Sequence, residues 1–382
     1  MIIFQKKLNQ GIMKTFLTFL SLLLFTGMGF AFTTPNNSLT EDFIEGNPEV
    51  KSVNALTFGP EGILFIGDSR QAAIIAVDTK DNKSMQAPES VDLKNVDELI
   101  AAMVGTTADD IVIQDMAVNP ISKKIYLAVH RQDGLPMLVT TNGTKLEHFP
   151  LDKVSYSKSV LKKAVGEDAK DRRGRSLREW AISDLAFHGG QVMVSGLANE
   201  EFSSAFHAIP FPFKEKQELS TLEIYHAAHG RYETYAPIKT FMPYEMAGKS
   251  YLVASYTCTP LVIFPMDELK PGKHTKGKTV AELGNRNTPL DIVSFKKDGK
   301  PYLLLANSSR ALMRIDPSEI ASFDDYLTEP VEGNSTTAGV DFVALPYVNV
   351  LQMDKISDDQ IVMLQRTADG SLNLHMQSAG RL

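Results

Sequence analysis

One structural unit recurs six times along this chain, and that recurrence restricts the possible folds more than any other feature. Its clearest copy covers residues 289–320, PLDIVSFKKDGKPYLLLANSSRALMRIDPSEI. An apolar run leads into a turn with Asp298-Gly299 at its tip, and a second apolar run leaves it. A polar break at Asn307, Ser308 and Ser309 precedes a third run that ends on Asp316. Asp-Gly between two apolar runs signals a hairpin, because the tight two-residue turn needs positive φ at both central positions. Three such strands cannot bury their own face, so the unit requires neighbours.

Five further copies supply them. Anchored on Ala55, Met116, Leu185, Phe241, Ile292 and Met353, the copies are spaced 61, 69, 56, 51 and 61 residues apart. Propeller repeats of four strands typically span about 40–50 residues. The longer period here leaves room for a fourth, outer strand and a loop. The predicted fold is all-β: a six-bladed β-propeller over residues 51–382, mostly four-stranded antiparallel blades with short helical inserts between them. An irregular β-sandwich is the alternative. A hydrophobic fraction of 43% with 22% charged residues excludes disorder as the main state.

The runs ALTFGPEGILFIGD and DMAVNPISKKIYLAVH resemble the NHL, YVTN and gluconolactonase-like propellers. The resemblance covers nearly all of the chain after residue 50. It implies the propeller fold, and says less about activity, since that superfamily hosts lactonases, quinone enzymes and plain binding scaffolds.

Lys6, Lys7 and Lys14 precede the apolar run FLTFLSLLLF, and Gly29-Phe30-Ala31 then places small residues as at a cleavage site. Residues 1–31 read as a secretory signal peptide cleaved near Ala31, with Met13 as an alternative start; the apolar run is too short to span a bilayer. An uncleaved anchor is the alternative. No cysteine follows the run closely, which excludes lipid attachment at a mature N-terminal cysteine. The expected location is periplasmic or extracellular, as a soluble protein with no membrane span after cleavage. Residues 32–50 read as a polar tail, with Phe43-Ile44 expected to complete a blade edge and close the ring.

Without residues 1–31 the chain keeps 36 basic against 46 acidic side chains, a net of −10. That balance argues against nucleic acid or an anionic membrane as partner. A small molecule or another exported protein is expected instead. Cys258 is the single cysteine, so there is no internal disulfide, and the absence of CxxCH argues against covalent c-type haem. Val96, Leu99, Ile100 and Met103 fall at helical spacing on a blade-connecting segment. Residues 156–180 form a charge-dense insert containing Arg172, Arg173, Arg175 and Arg178, read either as an anion or partner contact or as a solvated loop.

Two candidate sites emerge. The first is a ring: Asn54, Asp115, Asp184, Thr240, Asp291 and Gln352 each stand just before an anchor position. The innermost strand of a blade lines the central channel, so these six side chains should converge near one mouth of it. Converging oxygens suit a hard cation, Ca²⁺ especially. The alternative is that each side chain hydrogen-bonds backbone N–H groups of the next blade. Gluconolactonase-like families take metal ligands from this strand-start position, in Asn-Gly and Asp-Gly contexts. Here the following residues are Ala55, Met116, Leu185 and Ile292. The resemblance implies a lactone or ester hydrolase in which Asp115, Asp184 and Asp291 hold a divalent ion, Ca or Zn.

The second candidate is the pair His226 and His229, three residues apart. With Cys258 and a methionine such as Met242 they would suit copper, or they could contact a quinone. A hydrogen-bonded histidine pair and a structural cysteine are the alternative. His188 and His207 belong to the preceding repeat and could approach the same rim, whereas His130 and His375 read as packed inside strands. There is no GxSxG, P-loop or dinucleotide fingerprint, so no catalytic residue is assigned. The leading expectation is a scaffold that binds a ligand, ion or partner at the channel mouth. The alternatives are the metal-dependent hydrolase and a copper- or quinone-linked redox protein.

Overall fold

The computed structural model describes residues 38–214, 217, 219–333 and 337–382; the expected signal peptide lies outside them. Asp298 and Gly299 both have positive φ, 52° and 77°. That turn joins Pro289–Lys297 to Lys300–Asn307 as an antiparallel pair. Met313–Ile315 and Phe342–Ala344 add a third and a fourth strand. The same build recurs in six sheets. Their inner strands are Ala55–Phe58, Ile111–Val118, Asp184–His188, Thr240–Met246, Pro289–Lys297 and Val350–Ser357. The blades are numbered here in that order.

The blades do not follow one another around the wheel in chain order. The inner strand of blade 1 lies between those of blades 2 and 3, and blade 2 lies between blades 1 and 6. The circuit is therefore 2, 1, 3, 4, 5, 6 and back to 2. The chain reaches this order by leaving blade 1 after three strands. It first lays Asp92–Leu93 on the edge of blade 6, against the C-terminal strand Leu372–Ser378. It then forms the helix Val96–Val104 and all of blade 2. Val154–Val160 returns to pair with Ala73–Asp78 as the fourth strand of blade 1. The chain next builds blade 3 on the far side.

Two sequence expectations change accordingly. The insert at 156–180 begins as that returning strand, and only its second part is a loop. Ile44–Gly46 is an edge strand on Val154–Val160, whereas the strand that ties early chain to late chain is Asp92–Leu93.

Six apolar cores fill the seams between neighbouring blades. Phe65, Ile182 and Leu185 lie in the seam of blades 1 and 3. Phe206, Phe241 and Phe264 lie in that of blades 3 and 4, and Leu127, Val139 and Leu364 in that of blades 2 and 6. The remaining three seams are filled likewise. Because each blade is covered on both faces, its middle strands read as unbroken apolar runs, as in Ile63–Asp68 and Ala73–Asp78. No described helix is long and apolar enough to cross a membrane.

Candidate functional site

Four carboxylates meet in the channel, and each clasps the next blade. Asp115 in blade 2 accepts the N–H of Leu56 in blade 1 at 2.6 Å. Asp184 in blade 3 accepts that of Phe241 in blade 4 at 2.8 Å. Asp291 in blade 5 accepts that of Met353 in blade 6 at 2.6 Å. Asp354 in blade 6 accepts that of Val118 in blade 2 at 2.6 Å. All four reach forward in the same rotational sense around the wheel. The second oxygen of each accepts the N–H of the residue that follows it, Met116, Leu185, Ile292 or Lys355, at 2.7, 2.7, 2.7 and 2.6 Å. Strands that fan out from an axis cannot pair with each other along their whole length, and the side-chain oxygens satisfy amides that would otherwise be orphaned.

The same four residues line a cavity of about 320 Å³ on the axis, together with Met242 and Lys355 among others. Burial pushes the carboxyl of Asp115 well above the usual range, and the charge of Asp184 pushes it further. Asp291 is raised in the same way by burial and then by Asp115. Burial lifts Asp184 to about 7 and Asp354 to about 6, against the pull of their backbone N–H bonds. Each of these residues is only half-buried, and the cavity they line opens to solvent.

The cavity lining includes Asp115, Asp184 and Asp291 from the expected ring, and not Asn54, Thr240 or Gln352. Asn54 accepts the N–H of Ser69 within its own blade at 3.2 Å. Thr240 is buried and its hydroxyl hydrogen-bonds Asp184. Gln352 donates from Nε2 to the carbonyl of Gln114 at 3.1 Å, bridging blades 6 and 2. In blade 6 the acid in the channel is Asp354, two residues further on, hence on the same strand face. The irregularity before Gln352 is the one that precedes Asp115 and Asp291, so Gln352 is the register equivalent of those acids, and alignment on Met353 stops one pleat short of Asp354.

The histidine pair sits at the outer end of blade 3. Leu219–His226 ends in a short 3₁₀ turn, Ala227–His229, and Gly230 at φ 62° returns the chain into Arg231–Glu233. This tight return brings Glu233 beside both rings. His226 Nδ1 lies 3.1 Å from Glu233 Oε2, and His229 Nδ1 lies 2.8 Å from Glu233 Oε1. The two ring centroids lie 3.8 Å apart, with the ring planes tilted by 38°. Arg231 Nε donates to Glu233 Oε1 at 3.2 Å. Burial raises the Glu233 carboxyl, but the bonds from His226 and His229 outweigh it and bring it down to about 2. From blade 4, Glu282 Oε1 accepts the N–H of Ala228 at 3.1 Å, and its Oε2 lies 4.0 Å from His226 Nε2. Burial raises the Glu282 carboxyl.

The copper set expected from sequence is not assembled. Among the described residues, His226, His229 and Glu233 bring ligand atoms within 4.8 Å of one another, and Cys258 does not join them. Cys258 occupies a left-handed position in the turn between two strands of blade 4, at φ 68°, with its N–H bonded to the carbonyl of Asn287. Met242 lines the channel instead. His188 is exposed at a hairpin, and His207 is buried, its ring pushed down to about 4 by burial. His130 Nε2 accepts the N–H of Val53 at 2.8 Å, and His375 bonds Gln365 and Gln377. Glu233 was legible in HAAHGRYE, four residues after the second histidine; Glu282 is about fifty residues away and was not.

No protein-family model matches the chain, and no curated protein matches it. Among solved structures it is similar to a candidate oxidoreductase (glucose dehydrogenase) from Thermus thermophilus, at 12% identity and TM-score 0.36, covering 88% of this chain and 100% of that one. It is also similar to the PQQ-bound aldose sugar dehydrogenase of Streptomyces coelicolor, at 11% identity and TM-score 0.31, covering 88% of this chain and 98% of that one.

Proposed function

We propose that this chain is an exported propeller scaffold that binds a hard divalent cation, of the Ca²⁺ class, in the mouth of its channel. The observation that carries this reading is the convergence of Asp115, Asp184, Asp291 and Asp354 on one cavity. Each carboxylate oxygen gives one lone pair to a backbone N–H and keeps another for an ion. Asp115 and Asp291 are raised by neighbouring carboxylates as well as by burial, and acids crowded in this way gain from a cation held by oxygen ligands. Calorimetric titration with Ca²⁺ at pH 8, with Mg²⁺ and Na⁺ as controls, tests it. A saturable one-to-one isotherm supports the reading, and no heat above dilution refutes it. Hydrolysis of a simple lactone or aryl ester that depends on the same ion would extend the reading to a hydrolase built on Asp115, Asp184 and Asp291.

A further inference from the structure

We propose that His226, His229 and Glu233 form a second, independent metal site for a divalent transition-metal ion of the zinc class, with Glu282 orienting His226 from behind. The site lies at the edge of blades 3 and 4, does not involve the channel acids, and stands or falls separately from the reading above.

Two features permit an ion, and a third favours it over a plain hydrogen-bonded cluster. The donor set is two imidazoles and one carboxylate, which suits zinc with a further position left for water. The three residues already bring their ligand atoms within 4.8 Å of one another, close enough for small side-chain rotations to bring them onto one ion.

The third feature is a tautomer conflict. If both Nδ1 atoms donate protons to Glu233, a neutral His226 has a bare lone pair on Nε2. That atom faces Glu282 Oε2 at 4.0 Å, and neither has a hydrogen-bond partner. Both side chains are almost wholly buried, at 1% and 0% exposure. Two buried acceptors facing each other are unfavourable. An ion on Nδ1 removes the conflict: the proton moves to Nε2, from where it can be donated to Glu282. Ligating histidines commonly give their other N–H to a carboxylate in this way. His229, at 38% exposure, leaves the ion a route from solvent. Two competing states need no metal: a doubly protonated His226, or a protonated Glu282 that donates to His226 Nε2.

The mature chain without a histidine tag would be stripped with dipicolinate and titrated with Zn²⁺ against a chromophoric zinc chelator at pH 7.5. One equivalent is expected. His229→Ala, at a partly exposed position that leaves the core intact, should weaken binding at least 30-fold. Glu282→Gln should weaken it about 10–100-fold through orientation alone. Co²⁺ in place of Zn²⁺ should give visible bands of a tetrahedral ion, lost in His229→Ala, while Cys258→Ser, at a residue outside both sites, leaves both readouts unchanged. Binding well below one equivalent by the parent, or an undiminished affinity in a folded His229→Ala variant, would overturn the proposal in favour of a metal-free hydrogen-bonded cluster.

Discussion

Asp291 of blade 5 holds the N–H of Met353 in blade 6 at 2.6 Å with one oxygen and the N–H of Ile292 at 2.7 Å with the other. The side chain is thus a seam fastener and a channel charge at once, and those two roles respond differently to substitution. Asp291→Ala leaves two enclosed amides without acceptors and should destabilise the fold by about 2–4 kcal/mol. Asp291→Asn keeps one acceptor and removes a charge that Asp115, Asp184 and Asp354 oppose. Its loss in urea denaturation at pH 8 without divalent ions should be less than half that of the alanine variant.

The channel acids also set a pH dependence. Their folded-state pKa values are raised, so the folded chain holds protons that the unfolded chain releases. Their contribution to stability is therefore greatest at low pH and is lost as pH rises through the folded values. Histidines pushed down by burial, His130 and His207, act in the opposite direction below about pH 6.5. Between pH 6.5 and 8 the carboxylates dominate, since Asp184 titrates near 7 and Asp115 and Asp291 are raised well above the usual range. With chelator present, the melting temperature should fall by roughly a few degrees over that interval, and saturating Ca²⁺ should flatten the profile.

Backbone geometry gives a pair of contrasting glycines. Gly299, at φ 77°, has open space where a Cβ would be, so Gly299→Ala carries only the left-handed strain, about 1–2 kcal/mol. Gly196 lies on the second strand of blade 3, and a Cβ there would stand 2.2 Å from the carbonyl oxygen of Ala181. Gly196→Ala must displace backbone at a blade seam, and should lose more stability than Gly299→Ala in the same denaturation assay.

Export has its own readout. Expressed with its full N-terminus in a Gram-negative host, the chain should appear in the periplasmic fraction with an intact mass that begins after Ala31. A mass retaining residues 1–31 in the membrane fraction would favour the anchor.

Much of the architecture was legible because unbroken apolar runs and the Asp298-Gly299 turn are local signals. The order of the blades was not. It depends on where Val154–Val160 and Asp92–Leu93 pair, and an edge strand carries no record of its partner. Asp115, Asp184 and Asp291 were readable as a ring, and their bonds to neighbouring amides are those of the structural reading. Asp354 escaped because Gln352 holds the equivalent register position in blade 6, and the acid stands two residues beyond it. Cys258 was misplaced because a short distance between strands in sequence order says little about which end of a blade a turn occupies.

The channel acids are proposed to bind a cation as well as fasten blades, and melting curves at pH 8 with and without Ca²⁺ test this most directly, for the parent and for Asp184→Asn with Asp291→Asn combined. The account predicts a rise of several degrees in the parent and none in the folded double variant. An equal rise in both, or no rise in the parent, would contradict it.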